Sequence, residues 1–202
     1  MSKPAMLAAG AAMVAIGAAG CGASASSSSS HGGHTATPAN TNAPEVNPAG
    51  DIPDNQAYVP YRPSGGGFSI KVPEGWSRTA SGRAVTFTDK LNAIRVESMA
   101  AIAPPSVRAA RLTDVPKLAH SVKGFRPGTV AAVKRNAGTA VRITYLATAK
   151  PNPVTGKTGQ DAVQRYMFFH KGRDVILTLS GPKGADNVDP WRIITDSLSW
   201  SR

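Results

Sequence analysis

The chain has 202 residues, room for one ordinary domain with extensions, and carries 23 Lys and Arg against 12 Asp and Glu, a formal charge of +11. With 17% charged residues, 20 Gly and 16 Pro, it is neither a coiled coil, which is far richer in charge, nor collagen, which needs Gly at every third position. A single cysteine excludes an internal disulfide and any multi-cysteine zinc site, and the lack of a long apolar run beyond the N-terminal segment excludes a multispanning membrane protein.

In chain order, the first element reads as an export signal. Lys3 and the terminal amine are positive, and Ala5 to Gly20 is then uncharged, small and apolar, a length that suits a signal core better than a membrane span. Ala18-Ala19-Gly20-Cys21-Gly22 follows and resembles the bacterial lipobox, in which small residues precede a cysteine that is acylated and becomes the new N-terminus. The usual pattern has Leu three residues before the cysteine, where this chain has Ala18. The only thiol of the chain stands at the one place where a lipobox uses it. The expectation is cleavage between Gly20 and Cys21, lipidation of Cys21, and anchoring on the extracytoplasmic face of the cell membrane. Ala23-Ser24-Ala25 is a second acceptable cleavage site, and cutting there would discard the cysteine and release the chain. Residues 1–20 are thus read as a lipoprotein signal peptide.

Residues 21–57 read as a tether. Ser26 to Ser30 is a polar tract, followed by Gly, Thr, Pro and Asn, with Glu45, Asp51 and Asp54 and no Lys or Arg. Such a segment has little to bury against the entropy of ordering, and as a coil it spans on the order of 30 Å. His31 and His34 within it are two imidazoles without a rigid third ligand, so no metal site is expected there.

Residues 58–202 read as one globular domain, with 22 Lys and Arg against 9 Asp and Glu, a net of +13. Alternation predicts strands over Phe68 to Val72, Val85 to Phe87, Ile94 to Met99 and Val141 to Tyr145, a small, β-branched run predicts one over Thr129 to Arg135, and apolar runs bounded by turn signals predict two more over Val163 to His170 and Val175 to Ser180. Pro73-Glu74-Gly75, Asn136-Ala137-Gly138 and Lys171-Gly172-Arg173 are turn signals, so consecutive strands pair antiparallel. Val115, Leu118, Ala119 and Val122 have helical spacing, with Thr113 or Asp114 as the starting cap, Pro116 in the first turn and Gly124 as the stop. A second helix is expected from Asp189 as N-cap, with Pro190 first and Trp191, Ile194 and Leu198 on one face. Strands apolar on both faces near their centres predict a sheet covered on both sides.

Gly67 to Trp76, the hairpin from Val163 to Ser180 and the closing helix that ends in Ser197-Leu198-Ser199-Trp200 resemble the PsbP-like superfamily over about residues 66–202, by order and spacing rather than by a sharp motif. With its lipobox and tether the chain is most similar, within that superfamily, to actinobacterial lipoproteins of the LpqN type. The resemblance implies an α+β fold, an α/β/α sandwich with a central antiparallel sheet of six to seven strands and helices on both faces. It implies accessory or binding roles and carries over no catalytic residue.

The residues themselves offer little chemistry. Gly156-Lys157-Thr158 lacks the earlier glycine of a phosphate-binding loop, that position being Pro151. Gly65-Gly66-Gly67 completes no dinucleotide fingerprint, and no Gly-x-Ser-x-Gly elbow occurs. The domain's two histidines, His120 and His170, are expected at the surface, and its nine scattered acids suggest no metal site. Trp76, Trp191 and Trp200 are expected in the core. Asp186 to Arg192 is the most distinctive heptad, and helix capping explains it. No catalytic residue and no cofactor is expected.

The expected function is a non-catalytic binding or accessory role at the cell envelope. The alternatives are a hydrolase acting on envelope material, or an assembly factor acting through a protein partner. The domain charge calls for acidic partners. On an exported chain these are anionic lipid headgroups or wall polymers rather than nucleic acid, and aromatic stacking platforms for single strands are sparse.

Overall fold

A computed structural model describes residues 49–151 and 155–201. The segment expected as a signal, Gly20, Cys21, His31, His34 and the expected tether up to residue 48 lie outside the described residues.

Among the described residues, ten strands and a few short helices make an α+β fold that is mostly sheet. Strands β1 (Tyr58–Tyr61), β2 (Phe68–Pro73) and β10 (Ser199–Trp200) form a small sheet in the order β1-β2-β10. The large sheet holds β3 (Ser77–Ser81), β4 (Ala84–Asp89), β5 (Asn92–Ala100), β6 (Arg126–Arg135), β7 (Gly138–Thr148), β8 (Gln160–His170) and β9 (Arg173–Pro182). Its order is β3-β4-β5-β9-β8-β7-β6, antiparallel at every pair. Two hairpin runs therefore meet where β5 joins β9, with Val96 opposite Leu177.

Alternation sends the two sides of each strand into separate cores. Ile94, Val96, Tyr166, Phe168, Val175, Leu177 and Leu179 pack in one cluster with the small sheet and helix α3 (Val188–Asp196). Val141, Ile143, Tyr145, Val163, Met167 and Ile176 pack in a second cluster with the helical stretch 107–121. The seven-stranded sheet matches the expected number. The layers differ from a sandwich with comparable helices on each face, because a second sheet forms part of one covering. Ser77–Ser81 and Tyr58–Tyr61 lack the apolar alternation that identified the other strands, so only pairing reveals them.

Both helices depart from expectation. The first starts earlier, at α1 (Val107–Ala109), where the Ser106 hydroxyl accepts from Ala109 N at 3.1 Å. It passes through a π turn (Ala110–Asp114) into α2 (Val115–Ser121). Asp114 is therefore inside the helix and caps nothing. The π turn precedes Pro116, which has no N–H to give a regular ladder and whose ring would press on the carbonyl four residues back; the wider turn relieves both. Gly124, at φ +67°, then turns the chain away. The last helix starts at Val188 with Asn187 at the N-cap, not Asp189, and its end frees Ser199–Trp200 to pair with β2 instead of closing the helix. Pro190 is its third residue, still within the first turn where the N–H has no helical partner.

Helix α3 is tied to the sheet by polar contacts as well as by Trp191 and Ile194. Arg135 Nε donates to Thr195 Oγ1 at 2.9 Å and Nη2 to the Tyr166 hydroxyl at 3.1 Å, which in turn donates to Gln164 Oε1 at 2.6 Å.

The folded unit begins before Tyr58. Ile52 is 3% exposed and belongs to the first core cluster. Asn187 Oδ1 accepts from Ile52 N at 2.8 Å, while Asn187 Nδ2 donates to Gly50 O at 2.9 Å and to Asn92 Oδ1 at 3.1 Å. Asn92 Nδ2 also donates to Gly50 O, at 3.0 Å, and Asp51 Oδ1 accepts from Asp186 N at 2.9 Å. The expected tether thus runs too far. Its composition hides one isoleucine that finds a core and a backbone that finds buried partners.

Candidate functional site

A hollow of about 540 Å³ lies where two irregularities meet. On edge strand β6 the pairing passes from Pro127 opposite Tyr145 to Val130 opposite Ile143, so Gly128 and Thr129 together face Thr144. This is a β-bulge, which bends an edge strand and breaks its ladder. Thr144 Oγ1 takes up the orphaned Thr129 N–H at 2.8 Å. Gly128 is required there, because a Cβ would stand 2.7 Å from the Thr144 carbonyl oxygen. Opposite the bulge stands the π turn, whose Arg111 reaches across to donate to Val130 O at 3.2 Å. Val115, Phe125, Val130 and Ile143 make the walls apolar. On its other side the same bulge borders a hollow of about 340 Å³ between Arg126, Leu146, Gln164 and Trp191. Both hollows offer apolar surface beside one guanidinium, an arrangement that holds a ligand by shape and charge. Neither Gly128 nor the arginines stood out in the sequence, although a glycine inside a strand pattern is a bulge signal.

A charged network occupies the sheet face under helix α2. Arg95 Nη2 lies 3.0 Å from Glu97 Oε1, and Arg165 Nη1 lies 3.4 Å from Glu97 Oε2 and donates to Thr178 Oγ1 at 3.1 Å. Burial alone would raise the Glu97 pKa, but the hydrogen bonds and charges of the two arginines outweigh it and hold the carboxyl below its ordinary value. Glu97 therefore adds stability above its unfolded pKa, and that stability is lost as pH falls through the lower folded value. Asp174 behaves in the opposite sense. Burial, then the nearby charge of Asp114, pushes its carboxyl up, and Oδ1 is buried without a hydrogen bond among the described residues. Its ionised form destabilises the fold at neutral pH. Asp174→Asn is expected to raise the melting temperature at pH 7 and to make little difference below the unfolded aspartate pKa, measured by thermal unfolding across pH. An unchanged or lower value at pH 7 would contradict the assignment.

The residues singled out in the sequence are dispersed. His120 is exposed in α2, whereas His170 ends β8 and stacks on Trp200 at 5.0 Å between ring centroids. They belong to opposite sides of the large sheet, so they share no site. Trp191 is 6% exposed in the first core cluster, and Trp76 and Trp200 pack against it. Trp200 Nε1 also donates to Ala137 O at 3.0 Å. Gly156-Lys157-Thr158 lies in the connection between β7 and β8, with no helix N-terminus to cradle a phosphate. Gly66 and Gly67 adopt left-handed φ in the approach to β2. The heptad Asp186 to Arg192 has a different role from the one expected. The Asn187 side chain makes no cap hydrogen bond and is committed to residues 50, 52 and 92, while Asp189 pairs with Arg192 at 3.1 Å. Among the described residues no group of three His, Cys, Asp or Glu converges, and no helix is long and apolar enough to cross a membrane.

By sequence, the chain matches no family model and no curated protein significantly. By structure it is similar to the cyanobacterial PsbP protein of Synechocystis sp. PCC 6803, with a TM-score of 0.52 at 12% identity over 76% of this chain and 99% of that one. A protein of Bacteroides thetaiotaomicron gives 0.48 at 15% identity over 71% of this chain, which spans only 48% of that protein's length. LpqN of Mycobacterium tuberculosis, described as involved in cell envelope biogenesis, gives 0.44 at 11% identity over 74% and 93%. The Synechocystis protein carries the comparison, and it shows a PsbP-like fold alone.

Proposed function

We propose that this chain is an envelope lipoprotein, held on the extracytoplasmic face of the membrane through Cys21, whose folded part binds anionic envelope material without catalysing a reaction. The observation that carries the binding role is uncompensated charge. Of the 22 Lys and Arg in residues 58–202, only Arg95, Arg135, Arg165 and Arg192 form ion pairs with carboxylates among the described residues. The remaining cations leave a strong positive field, which attracts anionic surfaces and speeds encounter with them. The hollows beside the bulge support binding over catalysis, being lined by apolar groups, arginine and neutral polar groups without a histidine or carboxylate.

Two measurements test this. Cys21→Ser should shift the protein from the membrane fraction to the medium, or leave it unprocessed with its signal attached. A native protein already soluble, with Ser26 at its N-terminus, would overturn the anchoring. Residues 22–202, which keep every described residue, should bind acidic vesicles at 0.01 M salt and release them toward 0.15 M, where the Debye length falls from about 30 Å to about 8 Å. Equal binding to neutral vesicles, or none at low salt, would overturn the anionic partner.

A further inference from the structure

At one end of the large sheet, two turns bring three cations together. Gly82-Arg83 joins β3 to β4, Lys171-Gly172 joins β8 to β9, and Arg173 opens β9 opposite Ala100. Arg83, Lys171 and Arg173 line a cleft of about 370 Å³ with Ser98 and no carboxylate. None of the three is in an ion pair among the described residues. Asp174 is next in sequence to Arg173 but, by strand alternation, faces the opposite side of the sheet, where Asp114 acts on it.

The cleft is built rather than a chance crowding of long side chains. Arg173 Nη1 donates to Ser98 Oγ at 3.1 Å, and its guanidinium lies along Gly67, where a Cβ would stand 3.1 Å from Nε. Lys171 and Gly172 take φ of 44° and 78°, and Ala101 N donates to Gly172 O at 2.9 Å, which pins the turn to the end of β5. Immediately beyond that contact stands Ile102, whose side chain is wholly in solvent at 106% relative exposure. A fixed guanidinium and two further cations around one hollow, with the Ser98 hydroxyl beside them, suit a phosphate group. A fully exposed isoleucine beside them suits the boundary between headgroups and acyl chains, where basic residues and an apolar side chain act together.

We infer that the cleft of Arg83, Lys171 and Arg173 binds the phosphate of an anionic phospholipid headgroup, with Ile102 entering the bilayer surface beside it. This rests on the anionic-surface reading above and names where and how that surface is held. The domain would lie with this end of the sheet against the membrane.

The test uses residues 22–202 and vesicles of phosphatidylglycerol in phosphatidylcholine, pure phosphatidylcholine vesicles, and soluble poly(glycerol phosphate). The triple variant R83Q/K171Q/R173Q should bind the phosphatidylglycerol vesicles about tenfold or more weakly than the native chain. The control R108Q/K123Q/K150Q removes the same charge from exposed positions elsewhere and should change binding about twofold at most. Ile102→Asp should weaken vesicle binding several-fold and leave binding of the soluble polymer unchanged. Equal losses in the two triple variants would overturn the cleft while leaving a diffuse anionic-surface role standing. Tight binding of the polymer without binding of vesicles would overturn the lipid headgroup as occupant. Failure of the native chain to bind either probe would sink the anionic reading as a whole.

Discussion

A chain that starts at Tyr58 should be less stable than one that starts at residue 49 by about 3–6 kcal/mol, a large share of the roughly 5–15 kcal/mol that holds an ordinary domain together. The loss has two sources. Ile52, 3% exposed, leaves the core, which forfeits roughly 1.5–3 kcal/mol of apolar burial. The Asn187 and Asn92 side chains lose Gly50 and Ile52 as partners, and each buried polar group left unsatisfied costs about 1–3 kcal/mol. Gly50 itself is shaped for the place. At φ +99° it lies so close to the Pro182 ring that a Cβ would come within 2.7 Å of Cδ. Urea unfolding of chains 22–202, 49–202 and 58–202 is the measurement. The first two should coincide, and the third should unfold at a clearly lower midpoint. A 58–202 chain as stable as the longer two would mean that residues 49–57 rest on the domain without holding it.

Asn187→Ala should cost about 2–4 kcal/mol, more than an ordinary N-cap substitution. The side chain is not capping. Its oxygen holds the buried Ile52 N–H, and its nitrogen serves Gly50 O and Asn92 Oδ1. Alanine would orphan these groups in a region where Gly181 already packs against both asparagines, with a built Cβ only 2.9 Å from Asn187 Nδ2. Because two of the three partners, Gly50 and Ile52, are removed by the truncation, the two effects should not add. In the 58–202 chain the same substitution should cost much less, and the difference measures the coupling. Full additivity would show that Asn187 stabilises helix α3 alone.

How far the fold was legible follows from where its information lies. Phe68 to Val72 and the start of Ile94 to Met99 alternate because one side lies in a core, and Val175 to Leu177 is apolar throughout because both sides do, so burial wrote itself into the sequence. Ser77–Ser81 is exposed throughout and left no such mark; it is a strand only because β4 offers it a ladder. Pro116 was read as a helix start because proline fits a first turn, whereas a π turn lets it sit inside the helix. The heptad Asp186 to Arg192 was visible as unusual. Its purpose was not, since the partners of Asn187 lie 95 to 137 residues away.

By itself the sequence determined six of the seven strands in the large sheet, their antiparallel sense, the burial of Trp191 and the basic character of the folded part. These depend on local periodicity, turn chemistry and composition, which need no knowledge of what lies across the sheet. Tertiary structure alone decided that β5 joins β9, that Ile52 belongs to the core, and that Arg83, Lys171 and Arg173 share one cleft. The physical reason is that each depends on pairing between segments far apart in the chain. A side chain's own neighbours in sequence set its direction, but only the closed sheet sets what it meets.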